Sequence, residues 1–399
     1  MTPIRKGNRD LIKDINRNLV LNLIKNQSPI SRTELIQQSN LSAGTISNIT
    51  SSLIADGFVQ ETGEGESSGG RRPVLLRLNH KAGFVIGLKL MEQTITIAVT
   101  DLDAKVIFHQ VFPLTIDRPS PHPEQVLDAV IQAIENALTA SAVQRSRVAG
   151  IGIGMAGVID GERGICRYSP YFSWRDIDIA SPIATHFDLP VYVENDVNTL
   201  TIVEKWFGCG RDIPHFIVVT VGRGIGAGIV MNGQFYRGVL GGAGEFGHIT
   251  MMDGDPPITL EQLASDDAIL HYAQEVIAQG DKHTTLSTIN HLNIATLTQA
   301  ADEGDPVAQN LLADAGHWLG IGISTLINML NPQLVIIGGE GVQAGHWRLA
   351  PMREAISKHV FNGLADSLEI VVEPVGDEAW ARGAASLVLG ELFKSPVLK

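Results

Sequence analysis

The sequence predicts a winged helix-turn-helix head followed by a larger α/β body that runs through one strand-and-helix plan twice. Two capped helical segments across a tight turn, then a Gly/Ser/Glu stretch and a basic arm, predict the head. Apolar runs ordered as strand, turn, strand and helix occur after residue 82 and again after residue 215, and these predict the body. Charge divides the chain at the same place. Residues 1–80 hold ten Lys and Arg against seven Asp and Glu, a formal +3, which leaves −16 for the rest of a chain whose net charge is −13. A basic head on an acidic body assigns any nucleic-acid contact to the head.

In the head, Leu11, Ile12, Ile15, Leu19, Leu23 and Ile24 form an approximate helical stripe. Ser31 stands three residues before Glu34, the capping-box spacing, and opens a short helix through Gln38. Asn40-Leu41 is a turn. Ser42 then caps a second helix to about Ala55, with Ile46, Ile49 and Leu53 inward and Thr45, Ser47, Asn48, Ser51 and Ser52 outward. Residues 61–70 contain no apolar side chain and read as a flexible wing tip, followed by Arg71-Arg72-Pro73 and a strand from Val74 to Leu78. Ser42, Thr45, Ser47 and Asn48 are the candidates for base edges or nearby phosphates, and Arg71 and Arg72 for the minor groove.

The whole chain, at 399 residues with 44% hydrophobic and 18% charged content, is long enough for two or three domains with real cores. No apolar run reaches the roughly 18 residues of a membrane span, and the N-terminus lacks the apolar core of a signal peptide, so a cytoplasmic protein is expected. Cys166 and Cys209 are the only cysteines, which excludes a Cys-based zinc cluster.

In the body, residues 83–90, 94–101 and 106–114 fit an antiparallel meander, residues 125–140 a helix, and residues 148–155 a buried strand. In the second half an apolar run from Phe216 enters the Gly-rich bend Val221-Gly222-Arg223-Gly224-Ile225-Gly226 and returns to Asn232-Gly233, a hairpin signal. Gly241-Gly242-Ala243-Gly244-Glu245-Phe246-Gly247-His248 follows. Its glycines could serve tight turns alone. If a helix begins there, Glu245 and His248, three residues apart, share a face and converge on one small polar molecule. Residues 307–330 form a long amphipathic helix stopped by Asn331-Pro332, a buried strand of residues 334–337 leads into Gly338-Gly339-Glu340, and a last helix of about residues 377–394 carries Ala381, Gly383, Ala384 and Ala385 for close packing on the first lobe.

Gly-Gly-Ala-Gly-Glu-Phe-Gly-His at 241–248, together with Glu194-Asn195-Asp196-Val197-Asn198, resembles the ROK family of sugar kinases and sugar-responsive repressors, and the first eighty residues resemble its repressor branch. The resemblance covers essentially the whole chain. It implies that the body has the two-lobed, duplicated α/β fold of actin-like sugar kinases (ribonuclease H-like), with ligand in the interlobe cleft. The implied division is 1–80 for the head, 81–196 with 377–394 for the first lobe, and 197–376 for the second. Asn195, Asp196, Glu245 and His248 match family sugar ligands, and Glu261, in Leu260-Glu261, matches another. In kinase relatives the residue at Asp196 is also the general base.

Two departures from the family pattern matter. The kinase turn that holds nucleotide phosphate with an Asp, two Gly and a Thr is matched here by Lys89, Met91, Glu92 and Gln93, and Arg223 replaces a Thr in the second phosphate loop. Without the glycines the backbone cannot approach phosphate closely, and a carboxylate at Glu92 repels it. Between His248 and Leu260 the family places three zinc-binding cysteines, whereas this chain has Ile249 to Thr259 without one. Asp253 and Asp255 beside His248 fit a solvated loop. The expectation is a repressor that binds operator DNA and a monosaccharide effector, works as a homodimer or homotetramer, has no cofactor and no metal, and transfers no phosphoryl group. The alternatives are a sugar kinase carrying a DNA-binding head, and a repressor under the control of a protein partner. The aromatic run Ser169 to Trp174 could stack on a sugar or simply pack.

Overall fold

In a computed structural model, which describes residues 9–64, 72–116, 121–280, 284–373 and 376–394, the chain opens with the helix Arg9–Gln27, followed by helices Arg32–Ser39 and Ala43–Ala55. Both short helices begin as their caps dictate. Ser31 and Glu34 form the reciprocal capping box, Asn40 takes the left-handed conformation that ends the first of them (φ 56°), and Ser42 Oγ accepts from Thr45 N. A three-stranded antiparallel sheet completes the head, with Ile30–Ser31 and Val59–Glu64 on either side of Val74–Leu78. The expected wing segment is therefore a strand as far as Glu64; its tip and Arg71 lie outside the described residues.

One expectation about the head fails. Val20, Leu21 and Ile24 are the buried apolar residues of the C-terminal half of the first helix, while Ile12 and Leu19 are 55% and 38% exposed. The buried face packs on the head's own Leu35, Ile46, Leu53 and Leu76 and, at its edge, on the last helix of the chain. Val20, Leu21 and Ile24 belong to one apolar core with Val85, Leu102, Ala385, Val388, Leu389 and Phe393, so the head has no separate core of its own.

The body contains two five-stranded sheets of identical topology. In the first the order is 191–195, 148–155, 84–90, 94–101, 106–113; in the second it is 369–372, 334–338, 216–221, 225–231, 234–236. In each, the first three strands in chain order form an antiparallel meander and the last two add in parallel. Parallel additions need helical crossovers: Pro123–Ser141 in the first lobe and a longer set ending in Pro306–Leu330 in the second. The sequence reading did not include the small sheet 158–160, 165–169, 174–178, nor the helices Asp266–Ala278, Ile294–Asp302 and His346–His359.

The last helix, Asp377–Phe393, lies across the first sheet at a distance that only small residues permit. A Cβ on Gly87 would land on the carbonyl of Ala381, and one on Gly152 on the carbonyl of Ala384. On its other side Gly383 packs on the backbone at Thr199, in the helix Asp196–Phe207. Gly152→Ala should therefore force the helix off the sheet and destabilise the protein by about 1–3 kcal/mol. Urea unfolding of the variant should show this as a lower midpoint at unchanged slope.

Candidate functional site

The strand Val191–Asn195 ends where the helix Asp196–Phe207 begins, and three consecutive polar residues sit at that junction. Asn195 is the helix cap: its Oδ1 accepts from Asn198 N at 3.2 Å, and its Nδ2 donates to Gly157 O at 3.0 Å. Most of its amide is thus committed to the local backbone, and a ligand would meet only the remaining lone pair and N–H. Asp196 faces the cleft, 16% exposed, with Oδ2 3.8 Å from Lys89 Nζ.

Glu194, the first residue of the Glu194-to-Asn198 motif and assigned no site role from the sequence, is 1% exposed and fully partnered. Its Oε1 accepts from Asn195 N and Asn198 Nδ2, both at 3.0 Å, and its Oε2 from Arg237 Nε at 2.7 Å. Arg237 follows the hairpin strand Gln234–Tyr236, so this pair fastens the first lobe to the second immediately beside Asp196.

From the second lobe, the Gly-rich motif supplies Glu245 and His248. No α-helix begins there; a single 3₁₀ turn, Phe246–His248, is anchored by buried Phe246. Gly244 (φ 92°) takes a left-handed conformation, and a side chain there would strike Ala227 O. The turn still brings the two side chains together, with His248 Nε2 3.8 Å from Glu245 Oε2. Glu261, in the first turn of the helix Leu260–Ala264, accepts from Ile225 N at 2.8 Å, tying it to the hairpin bend. Burial raises the Glu245 carboxyl above the usual Glu range; His248 opposes this, while the carboxylates of Glu261 and Asp196 add to it. His248, Glu261 and Asp196 thus all lie within electrostatic reach of Glu245, which gathers three acceptor carboxylates and an imidazole about one place.

Tyr171 faces the same cleft. Burial pushes its hydroxyl up to about 12, with Asp196 acting in the same direction and Arg223 against it. Its neighbours in the aromatic run pack instead: Phe172 and Trp174 are buried and stacked at 4.5 Å, and Trp174 Nε1 donates to Pro121 O.

On the phosphate side of the cleft every charge is spoken for. Lys89, 4% exposed, places Nζ 3.6 Å from the Trp380 ring centroid, 3.8 Å from Asp196 and 4.0 Å from Glu340 Oε1. Trp380 Nε1 donates to Glu340 Oε1 at 3.2 Å, and Glu340 leans over Gly222 in the first hairpin turn. Arg223 lies 3.5 Å from Glu92 and 3.6 Å from Asp267. Two cations are ringed by four carboxylates, an environment that repels a nucleotide's phosphates. In a kinase relative the residue at this position takes the proton of the accepting hydroxyl; here Asp196 is instead engaged by the Lys89 ammonium at 3.8 Å.

The interval after His248 forms a short ribbon, Thr250–Met252 against Ile258–Thr259, and offers His248 no thiol. That donor set does not fit the family's zinc. Among the described residues, the one His, Cys and carboxylate group close enough to share an ion is Glu204, Cys209 and Glu373, which includes neither His248, Asp253 nor Asp255.

In the head, Ser42, Ser47 and Asn48 are exposed on the helix Ala43–Ala55, and Thr45 is half-buried because its Oγ1 meets Ser42 Oγ at 2.9 Å. This helix carries no charged side chain. Arg17 braces it from behind, bonding Ser52 Oγ and Asp56, and Arg32 bonds Thr50 Oγ1 and Glu61. Exposed Arg72 remains the described cation of the wing.

A DNA-binding winged head joined to a two-lobed sugar-kinase fold with its phosphate side occupied defines a transcription regulator. The comparisons agree. The ROK family model matches residues 85–391 and a model described as winged helix-turn-helix DNA-binding matches residues 13–60. The xylose repressor of Caldicellulosiruptor bescii is 33% identical over 398 residues, covering 98% of this chain and 99% of its own. A crystal structure of a ROK family transcriptional regulator, a homologue of the E. coli MLC protein, superposes with a TM-score of 0.85 at 29% identity over 98% of both chains. A ROK family glucokinase from Streptomyces griseus, solved with glucose and AMPPNP, reaches 0.66 at 27% identity and covers 76% of this chain and 99% of its own. The chain belongs to the ROK family, and it is a transcriptional repressor, not a kinase.

Removing Arg237 leaves a carboxylate of Glu194 buried without its cation. Arg237→Ala should cost about 1–3 kcal/mol in urea unfolding, and adding Glu194→Gln should return part of that loss.

Proposed function

We propose that this repressor binds operator DNA through its head and releases it when a neutral monosaccharide occupies the cleft between Asp196, Glu245, His248 and Glu261. Convergence of these four side chains from both lobes is the observation that carries the reading. Carboxylates accept charge-assisted hydrogen bonds from vicinal hydroxyls, and three of them together select against an anionic sugar. Asn195 serves mainly by fixing the start of the Asp196 helix. Residues 1–80 read the operator, with Ser42, Thr45, Ser47 and Asn48 on the recognition helix and Arg71 and Arg72 on the wing. Residues 81–196 with 377–394, and residues 197–376, are the lobes that close on the sugar. Two heads in a homodimer or homotetramer supply the half-site spacing of an operator, in the cytoplasm. Among the described residues no helix is long and apolar enough to cross a membrane.

The similarity to a xylose repressor makes D-xylose the first probe, followed by D-glucose and N-acetyl-D-glucosamine. At about 100 times its dissociation constant a ligand adds roughly 2.7 kcal/mol, a rise of several degrees in the unfolding midpoint. One sugar should raise the midpoint and weaken operator binding in a gel-shift titration, both without ATP. Glu245→Ala and Asp196→Ala should lose both responses while still binding operator. No response to any sugar would turn the reading toward control by a protein partner, and a response requiring ATP would revive the kinase.

The raised Glu245 carboxyl gives the site a pH dependence. The ionised form is the acceptor, so sugar affinity should fall as pH drops through a value above the usual Glu range, and Glu245→Gln should remove that step. Calorimetric titrations between pH 4.5 and 7.5 measure it.

A further inference from the structure

Where the head meets the body, a lysine of the head is enclosed by aromatic rings, one of which, Trp206, also faces Lys205 at 5.7 Å. Lys25, in the last turn of the head's first helix, places Nζ 4.4 Å from the ring centroid of Phe393, 4.5 Å from Trp206 and 5.1 Å from Phe207. Beside it Asn18 Nδ2 donates to the carbonyls of Phe393 and Lys394, and Asn22 Nδ2 to that of Phe393. Burial pushes the Lys25 ammonium down to about 8, against the pull of Asp103 and with the help of Arg211, so it is still largely charged at neutral pH.

The rings come from the far ends of the two helices that start in the cleft. Trp206 and Phe207 end the helix whose first residue is Asp196, 12 residues and about 18 Å away. Phe393 ends the helix Asp377–Phe393, whose first turn carries Trp380 against Lys89 and Glu340. The two helices are packed on each other at Gly383 and Thr199 too closely to slide independently. A displacement of either start therefore reaches the rings, and the rings hold Lys25. Cation–π contacts with three faces depend on the position of each ring, which makes this joint sensitive to small shifts in a way a plain apolar contact is not.

We propose that Lys25 is a positioning residue that couples the cleft to the DNA-binding head, its aromatic enclosure transmitting the state of the Asp196 and Trp380 helix ends to the recognition helix. The proposal rests on the cleft reading above for the nature of the signal, and on the joint's own geometry for the path. Lys25 touches neither ligand, so replacing it should leave both binding steps and change the connection between them. Couplings of this kind run from about 5-fold to 150-fold in affinity.

The test uses the full chain with Lys25→Met, which keeps the apolar stem and removes the charge, and Lys25→Arg, which keeps the charge. Operator affinity is measured by fluorescence anisotropy with and without saturating D-xylose, or whichever panel sugar raises the midpoint, and sugar affinity by calorimetry. Expected is that Lys25→Met holds sugar-free operator affinity and sugar affinity within about threefold of the parent, that its sugar-induced loss of operator affinity shrinks to under twofold, and that Lys25→Arg restores most of it. An undiminished sugar effect in Lys25→Met overturns the proposal. So does a parallel loss of both affinities with their ratio intact, which marks a merely structural residue. A second arm needs no sugar. Lys89→Met disturbs the Trp380 end, and its effect on operator affinity should differ at least threefold between the parent and the Lys25→Met variant in a double-mutant cycle. Additivity overturns the joint, whereas non-additivity in a protein that answers to no sugar supports the joint and removes the sugar reading alone.

Discussion

The ammonium of Lys89 is the interaction on which the cleft depends. It sits almost out of solvent, and a lone charge there would be costly. What makes it tolerable is a set of partners from three separate segments: Asp196 where the last strand of the first lobe passes into a helix, Glu340 after a strand of the second, and the face of Trp380 in the last helix. Those partners fix the lobes and the last helix relative to one another. They also consume the charge, so that Lys89 offers no net attraction to an arriving phosphate. Arg223, shared between Glu92 and Asp267, repeats the same logic in the first hairpin turn of the second lobe. A basic residue in a former phosphate site is easily read as a phosphate ligand; here its neighbours decide otherwise.

The sugar side of the cleft is organised differently, by backbone constraints more than by opposed charges. Glu261 is held by Ile225 N, Glu245 by the left-handed Gly244 and buried Phe246, and Asp196 by the cap that Asn195 provides. His248, with no metal ligand set around it, takes its orientation from the 3₁₀ turn and from Glu245. Such an arrangement keeps Glu245 and Glu261 in place by backbone contacts, while Asp196 also faces the Lys89 ammonium. Burial raises the Glu245 carboxyl, and the like-charged Glu261 and Asp196 add to that rise against the pull of His248.

Features governed by a few adjacent residues were legible in the sequence. The capping box at Ser31 and Glu34, the cap at Ser42, the hairpin at Asn232-Gly233 and the stop at Asn331 all formed as their local chemistry requires. The small residues of the last helix gave away its close packing, because Ala381 and Ala384 leave room for a sheet backbone at that spacing. Two further capping boxes, Thr259 with Gln262 and Asn293 with Thr296, were equally readable and would have located helices that the periodicity alone did not. Tertiary pairing was not legible. Ile12 and Leu19 look like core because nothing near them says that the inner face is the one carrying Val20, Leu21 and Ile24, chosen by the rest of the head together with the last helix. Glu194 looks like an ordinary polar strand end until Arg237 arrives from the other lobe. Lys89 was readable as the loss of a phosphate turn, and its partners Glu340 and Trp380 were out of reach of any local argument.

The separation of the two sides of the cleft has a consequence for signalling. A ligand shifts a conformational equilibrium only by its difference in affinity between the two states, and only while it remains bound unchanged. A body that phosphorylated its sugar would convert the signal into a product with a new charge, which the acidic cleft would expel. Filling the phosphate side with Lys89, Glu340, Glu92 and Arg223 opposes this without replacing Glu245, His248 or Glu261, because the latter stand on separate segments, a 3₁₀ turn and the helix Leu260–Ala264. The same substitution gives the cleft a mechanical function in place of a chemical one. Lys89 and Trp380 bind the start of the last helix to both lobes, and the end of that helix shares its apolar core with the head. The residues that crowd the phosphate side are therefore also the ones that join both lobes to the helix whose far end packs with the head.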